Sequence, residues 1–439
     1  MTTSVAVVGA GWAGLAAAVE LAQRGHAVTV FEAARLLGGR ARRLGDEAGG
    51  GGEGDAPLDN GQHILIGAYT ETLRLMRAVG VDPEAALLRR PLVLRFPDGG
   101  GLAMPRWPAP LDAVAGILGA RGWTWRDKAS LVRASLGWQA ARFRCAPTAT
   151  VAELCRGLTP RVREELIDPL CVSALNTPAE ASSGTVFLRV IQDALFGATG
   201  GSHLLLPRAD LGALFPDAAA QWLRGHRGQV LTGRRVQRIA PAEAGWTVDG
   251  EPFAQLVLAA PPWEAGRLVR ESGIAAGAWC AAAAALNHEA ITTVYLQSTG
   301  ATPARLALPM LALRSGPGRP AQFVFDRGQL GGPAGLLAFV ISASHGERES
   351  LQVQVLDQAR EQLGLSGLSG LTVRRSVTEK RATFACTPGL VRPAAAIAPR
   401  LWACGDYVDG PYPATLEGAV RSAQVVARQI IASPGGASP

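Results

Sequence analysis

The sequence predicts an α/β protein built on a Rossmann-like parallel sheet, and three observations predict it. The short β-branched run Ser4–Val8 opens directly into Gly9-Ala10-Gly11-Trp12-Ala13-Gly14 and then into the helix former Leu15–Ala22. A second strand-like run, His26–Phe31, ends on Glu32, at the distance beyond the last glycine where an acidic residue meets a ribose. Two later apolar runs also end on tight-turn residues, Gln255–Ala260 before Pro261-Pro262 and Arg400–Cys404 before Gly405-Asp406. A buried strand feeding a glycine turn and a helix is the recurring unit of such a sheet.

Composition sets the frame around that sheet. At roughly 100–200 residues per domain, 439 residues imply two or three domains. An apolar share of 48% supplies real cores and excludes a disordered chain. The 53 glycines and 29 prolines follow no triplet period, which excludes collagen. Lys128 and Lys380 are the only two lysines among 43 basic residues, an arginine bias of the kind a GC-rich genome produces. The net charge of +7 is spread without an aromatic-interleaved stripe, so nucleic acid is excluded as a partner. Six cysteines at irregular spacing, without C-x-x-C, read as reduced thiols of a cytoplasmic protein. The six histidines form no ligand cluster, so no metal is expected. No run of about 18 apolar residues predicts a transmembrane helix, and Met1–Gly11 has no signal-peptide pattern. A mean hydropathy of +0.15 in so charge-poor a chain points to an apolar partner.

The elements follow in order. Gly9 permits the tight turn, Gly11 lets the backbone approach a pyrophosphate, and Gly14 lets helix and strand pack closely. The helix N-terminus then offers N–H groups and a positive dipole end to the phosphates, with Trp12, Ala13 and, past Glu32, Ala33 completing the nucleotide contacts. In Arg35-Leu36-Leu37-Gly38-Gly39-Arg40, Gly39 and Arg40 bring backbone and a guanidinium to a diphosphate. Gly45–Gly54 is predicted as a surface loop, and Leu58-Asp59-Asn60-Gly61-Gln62-His63 follows it. Further strands are expected over Gly228–Val230, Arg234–Ile239 and Gly245–Gly250, and a helix over Thr415–Val426.

The Arg35–Arg40 run closely resembles the R-x-x-G-G-R extension of the flavin amine oxidase and phytoene desaturase superfamily, and Leu58–His63 resembles its D-x-G segment. The resemblance covers essentially the whole chain and implies FAD as cofactor. It implies that Gly61, Gln62 and His63 pass beside the flavin ring and that Val236 contacts the adenine. It places Ala260, in the Ala-Pro-Pro turn, over the cofactor. Gly405 and Asp406 then serve the ribityl and diphosphate side, while Thr415, Leu416 and Ala419 open a helix against the pyrimidine end, where its dipole stabilises negative charge. The implied FAD-binding domain is discontinuous, over 1–95, 205–265 and 375–439. An α+β substrate-binding domain takes 96–204 and 266–374.

Three departures set the chain apart from amine oxidases within that superfamily. No lysine lies between Lys128 and Lys380, where such enzymes hold a water at the flavin. Ala414, Thr415 and Leu416 stand where an aromatic usually precedes the helix. No cysteine occupies a position for covalent attachment, so FAD is expected to be non-covalent.

Residues 102–144 hold Trp107, Trp123, Trp125 and Trp138 among Arg106, Arg121, Arg126, Lys128, Arg133, Arg142 and Arg144. Aromatics beside cations suit a membrane-interface element. The implied location is therefore the cytoplasm, peripherally at the inner face of the cytoplasmic membrane. The runs Asp168–Pro178 and Gly200–Arg208, with Asp59–His63 and Pro411–Ala419, closely resemble the hydroxysqualene dehydroxylases of bacterial squalene and hopanoid synthesis. That resemblance implies reduction of a C30 isoprenoid alcohol, hydroxysqualene, to squalene, with electrons from an external donor. The candidate general acids are His63, His203 and Asp168, and Gln62 is a candidate hydrogen-bond partner of flavin or substrate. Two alternatives stand beside this reading: a carotenoid- or phytoene-type desaturase, and a non-catalytic flavin-fold lipid-binding partner of prenyl synthases.

Overall fold

In the computed structural model, residues 3–45, 58–108, 110–299, 302–364 and 370–432 are described. The loop expected over Gly45–Gly54 lies outside them from residue 46 onward. Strand β1 (Ser4–Val8) runs through the middle of a six-stranded sheet. It pairs in parallel with β2 (Ala27–Glu32) on one side and β4 (Gln255–Leu258) on the other. Beyond β2 lies β3 (Gln229–Thr232), also parallel, and beyond β4 lies β11 (Leu401–Ala403) with the antiparallel edge strand β10 (Ala396–Ala398). The order is thus β10-β11-β4-β1-β2-β3. Val7 sits between Val30 and Val257 in the ladder, and all three are fully buried.

Helix α1 (Trp12–Ala22) explains why that strand leads where it does. Ala16, Ala17 and Ala18 are fully buried, so the helix is apolar on nearly every side. It lies between the sheet and the last helix, α6 (Leu416–Ala432). Small side chains let both neighbours approach, while Leu15, Val19 and Leu21 each contribute about 1.5–3 kcal/mol on burial.

A second, antiparallel sheet holds β5 (His288–Ser298), β6 (Met310–Ala312), β7 (Phe323–Asp326), β8 (Leu336–Ile341) and β9 (Leu371–Phe384), in the order β6-β7-β8-β5-β9. One face is closed by the helix Arg348–Leu363, through Leu351, Val355 and Ala359. A small sheet of Leu65–Ile66, Leu204–Pro207 and Leu87–Arg90 pairs with neither larger sheet, but its Leu65, Leu87 and Leu205 share the core of the six-stranded one.

One expectation is corrected by these elements, and three expected domain junctions fall inside them. The domain junction expected at 375 falls inside β9, which pairs with β5 along its length, so residues 371–384 lie with the second sheet. The junctions expected at 204/205 and 265/266 likewise cut the strand Leu204–Pro207 and the helix Pro262–Glu271. Arg234–Arg238 is not a strand: the side chain of Asp249 accepts from the backbone N–H groups of Gln237 and Arg238, both at 2.9 Å, in place of a strand partner. Regular pairing starts only at Ile239.

The segment expected at the membrane interface folds into α2 (Leu111–Leu118) and α3 (Trp125–Ala140). Its tryptophans divide. Trp123 and Trp138 are buried, whereas Trp107 and Trp125 are exposed, Trp125 to 73%. Following α3 in the chain, α4 (Asp168–Leu175) and α5 (Gly184–Leu195) form part of a large cavity wall.

Candidate active site

The nucleotide half of the site is set by backbone. Gly9 has φ +109°, and a Cβ there would stand 2.8 Å from the Ala259 carbonyl oxygen. A Cβ on Gly14 would fall 1.9 Å from the Gly9 oxygen, so strand and helix close only over glycine. Gly11 is different. A Cβ on it would meet nothing nearer than 3.9 Å and would project toward the cavity. The Glu32 carboxylate accepts from Ala10 N–H at 2.7 Å and Ala34 N–H at 2.8 Å, which fixes it at the mouth of the glycine turn. Gly38 N–H donates to the Ala10 carbonyl at 2.9 Å, and Trp12 Nε1 donates to the Ala41 carbonyl at 3.0 Å. These bonds hold the Arg35–Arg40 run against the turn.

Arg40 pairs with Asp406, joining that run to the end of β11. Burial opposes the Arg40 charge, but Asp406 and then Glu379 outweigh it and hold the guanidinium above the usual arginine range. Thr415 caps α6, its hydroxyl accepting from Gly418 N–H at 2.9 Å. Beside Asp406, the Tyr407 hydroxyl is buried without a hydrogen-bond partner. A buried donor left alone is costly. Gly11, where the backbone is bare, and the Arg40 guanidinium together fit a diphosphate-bearing cofactor.

Gly9, Gly11, Glu32, Arg40, Asp406 and Thr415 line one cavity of about 1020 Å³. That is at the upper end of the roughly 300–1,000 Å³ of ordinary ligand pockets. At one end lie Gly9, Gly11, Glu32, Arg234 and Val236; at the other lie Leu170, Ala174, Phe187, Ile191 and Phe325. Gln62, His63, Thr383, Asp406 and Thr415 line it as well.

The Leu58–His63 segment is tied down from several directions. Tyr295 donates to the Asp59 carbonyl at 3.0 Å, and the Asp59 carboxylate accepts from Leu211 N–H at 2.9 Å. Burial pushes that carboxyl up to about 7, against the opposing pull of the Leu211 bond and the Arg327 charge. Buried Arg327 donates to Gln62 Oε1 at 3.0 Å, and Gln62 Nε2 donates to the His63 carbonyl at 3.3 Å. His63 Nδ1 lies 2.9 Å from the Gly61 carbonyl, so that nitrogen carries a hydrogen and donates it. Burial lowers the His63 pKa, with the Gly61 bond opposing it.

Every residue assigned to the cofactor from sequence lines this cavity except Gly14, which packs beneath it: Gly9, Gly11, Trp12, Ala13, Glu32, Ala33, Gly39, Arg40, Gly61, Gln62, His63, Val236, Ala260, Gly405, Asp406, Thr415, Leu416 and Ala419. Of the three acid candidates, only His63 is in the lining. His203 sits between two lining residues, Ser202 and Leu204, with Nδ1 buried and without a partner; burial lowers its pKa. Asp168 stands outside the lining. A π-helical turn at Arg163–Ile167 runs directly into α4, and this wider turn accommodates Pro169, which has no N–H to bond back to the preceding turn. The Asp168 carboxyl is raised by burial.

Sequence reasoning missed Tyr407, Thr383 and Arg327, and the places of Lys380 and Asn176 in the cavity lining. Lys380, at the far end of the interval that lacks lysine, lines the cavity beside Arg381 and Trp263. Only the meeting of β9 with the other elements brings it there.

A family model described as flavin containing amine oxidoreductase matches residues 12–431. The hydroxysqualene dehydroxylase of Rhodopseudomonas palustris is 28% identical over 99% of this chain and 99% of its own length. The 15-cis-phytoene desaturase of Synechococcus elongatus is 33% identical, but over 28% of this chain and 26% of its own length. Among solved structures, the cyclohexylamine oxidase of Brevibacterium oxydans superposes with a TM-score of 0.64 at 17% identity, covering 98% of this chain and all of that one.

Proposed function

The chain belongs to the flavin-containing amine oxidoreductase family, and from that premise we propose that this flavin-dependent oxidoreductase reduces hydroxysqualene to squalene with non-covalently bound FAD. The observation that carries the reading is the lining of the cavity. One space is lined both by the backbone-built nucleotide turns and by apolar side chains of α4, α5 and the second sheet. The full-length likeness to a hydroxysqualene dehydroxylase supports it.

When bound, FAD supplies the hydride. The residues of the chain supply the remaining steps. Loss of the allylic hydroxyl leaves a delocalised cation, and Phe187, Ile191 and Phe325 keep water away from it. His63 gives a proton to the departing oxygen as general acid. Its Nδ1 is committed to Gly61, so the proton is exchanged at Nε2. Arg327, through Gln62, and Leu211, through Asp59, hold the segment that presents His63.

The substrate is delivered, on this reading, from a membrane surface. Trp107, Leu111, Val114, Leu118, Trp125 and Leu136 are exposed on or near α2 and α3, with Arg106, Arg121, Arg126 and Lys128 in the same stretch. Among the described residues no helix is long and apolar enough to cross a membrane, so contact is peripheral, aromatics at headgroup depth and cations toward anionic lipid.

The test is anaerobic incubation of the reduced holoprotein with hydroxysqualene. Flavin reoxidation with one squalene formed per flavin is expected. A flavin that stays reduced while no squalene forms overturns the reading and returns the desaturase alternative.

A further inference from the structure

We propose that Thr383, oriented by Asn176, forms a recognition subsite for the hydroxyl group of the apolar substrate. The inference rests on the proposed reading that a hydroxylated isoprenoid enters this cavity. Both side chains line the cavity, and neither has a part in the steps described above.

Asn176 ends α4 in the left-handed conformation, at φ 47°, which asparagine tolerates better than most residues. It is only 3% exposed. Its Oδ1 accepts from Ala343 N–H at 2.6 Å, and its Nδ2 donates to Thr383 Oγ1 at 3.0 Å. A backbone N–H can only donate, so the Ala343 contact fixes which end of the amide faces Thr383. Ala343, just past the end of β8, is itself at φ 45°. An alanine held there costs about 1–2 kcal/mol, and strain of this kind one residue from a cavity wall is what functional sites show.

The direction of the Asn176 bond decides what Thr383 can do. Its oxygen is used as an acceptor, which leaves its own hydrogen to donate. The position of Thr383 then decides the recipient. The preceding residue, Ala382, accepts from Arg40 Nη1 at 3.2 Å, which ties it to the cofactor end. Asn176 follows Leu170, Ala174 and Leu175, which line the apolar end. Thr383 therefore stands at the seam between the two ends, where a polar group on an otherwise apolar substrate must be placed to react. Its hydroxyl is oriented to donate to the substrate oxygen, and Asn176 acts as a positioning residue.

The experiment measures equilibrium binding of hydroxysqualene and of squalene to the oxidised holoprotein, read by perturbation of the bound flavin. The native chain should prefer the alcohol about 3- to 10-fold, the worth of one hydrogen bond. Thr383→Val should bring that preference to about 1 with squalene affinity unchanged, and Thr383→Ser should restore it. Asn176→Asp is the sharper variant. It keeps the acceptor for Ala343 but presents a carboxylate to Thr383, which turns the threonine hydrogen away from the substrate, so the preference should vanish again. Should Thr383→Val fail to fold, Asn176→Asp and Thr383→Ser carry the comparison. An undiminished preference in Thr383→Val or Asn176→Asp overturns the subsite, as does equal affinity of the native chain for both ligands. So does a Thr383→Val protein that binds FAD more weakly, since the hydroxyl would then serve the cofactor. A native chain that prefers the alcohol yet forms no squalene when reduced leaves the subsite standing and overturns only the reaction.

Discussion

The two ends of the cavity are built by different means. At the nucleotide end, position is a property of the backbone: Gly9 and Gly14 each answer one steric demand, Gly11 leaves the backbone bare, and Glu32 is held by two N–H groups of nearby turns. At the apolar end, position is a property of side chains brought from α4, α5 and the second sheet, which meet only in the folded chain. The first end is pre-formed and local. The second is assembled and long-range. Substitutions at the two ends should therefore fail in different ways.

The largest effect is expected at Gly11. Its φ of −74° is open to any residue, and a Cβ there meets no protein atom closer than 3.9 Å. Gly11→Val should leave the apoprotein folded, with a melting temperature within a few degrees of native, and weaken FAD at least about 100-fold, a loss of about 2.7 kcal/mol. Equilibrium dialysis with FAD measures the loss. Gly14→Val makes the contrast, because its Cβ would fall inside the Gly9 carbonyl, and the variant should not yield folded protein.

At the junction of the two ends, His63→Ala should bind FAD normally and lose about 10²–10⁴-fold in squalene formation. The native pH profile sharpens this. A general acid works when protonated, so the rate is full below the folded pKa of His63 and falls about tenfold per pH unit above it. Burial lowers that pKa, so the fall should begin below the ordinary histidine value of about 6.5. In His63→Ala that limb should be absent.

The comparison also explains what could be read from sequence. The β1 turn, Glu32 and the Arg35–Arg40 run were legible because their partners are near in the chain and their residue types are dictated by sterics. Gly405, Asp406 and Thr415 were legible through resemblance, as strand-end and helix-start signals. Tyr407, Thr383 and Asn176 were not. A tyrosine beside Gly-Asp reads as core until its hydroxyl is seen without a partner, and Asn176 reads as a helix end until Ala343 and Thr383 arrive from 167 and 207 residues away. The expected junctions at 204/205, 265/266 and 375 fall inside regular elements for a related reason, since composition does not change within a strand such as β9.

Asp59 tests the stability of the segment between the ends. Its folded pKa, about 7, lies above the unfolded value of about 3.8, so the folded chain binds the extra proton. Stability from this group is present at low pH and is lost as pH rises from about 4 through 7, by as much as roughly 4 kcal/mol. Asp59→Asn keeps an oxygen for the Leu211 N–H and removes the charge. Thermal melts at pH 5 and pH 8 should show a smaller drop across that interval than the native chain shows. An equal drop in both proteins would mean that Asp59 is solvated or fully compensated by Arg327.

The smallest effect on the fold is expected where the apolar side chains are not covered at all. Trp125 and Leu136 lie on the exposed side of α3, and the helix itself is held by other means: a capping box between Thr124 and Asp127, and the buried faces of Leu131 and Trp138. Replacing both exposed residues by serine removes no core contact, so unfolding stability should change by no more than about 0.5 kcal/mol per site, and FAD affinity should not change. If these residues meet a lipid surface, the same variant loses apolar area worth about 25 cal/mol per Å² at the interface. Sedimentation with vesicles containing phosphatidylglycerol should then fall about tenfold or more, while turnover on detergent-dispersed hydroxysqualene is retained. Lys128→Gln and Arg126→Gln should reduce the same binding more weakly and in a salt-dependent manner. Native and doubly substituted chains that sediment alike would confine the apolar function of this half of the molecule to the cavity interior.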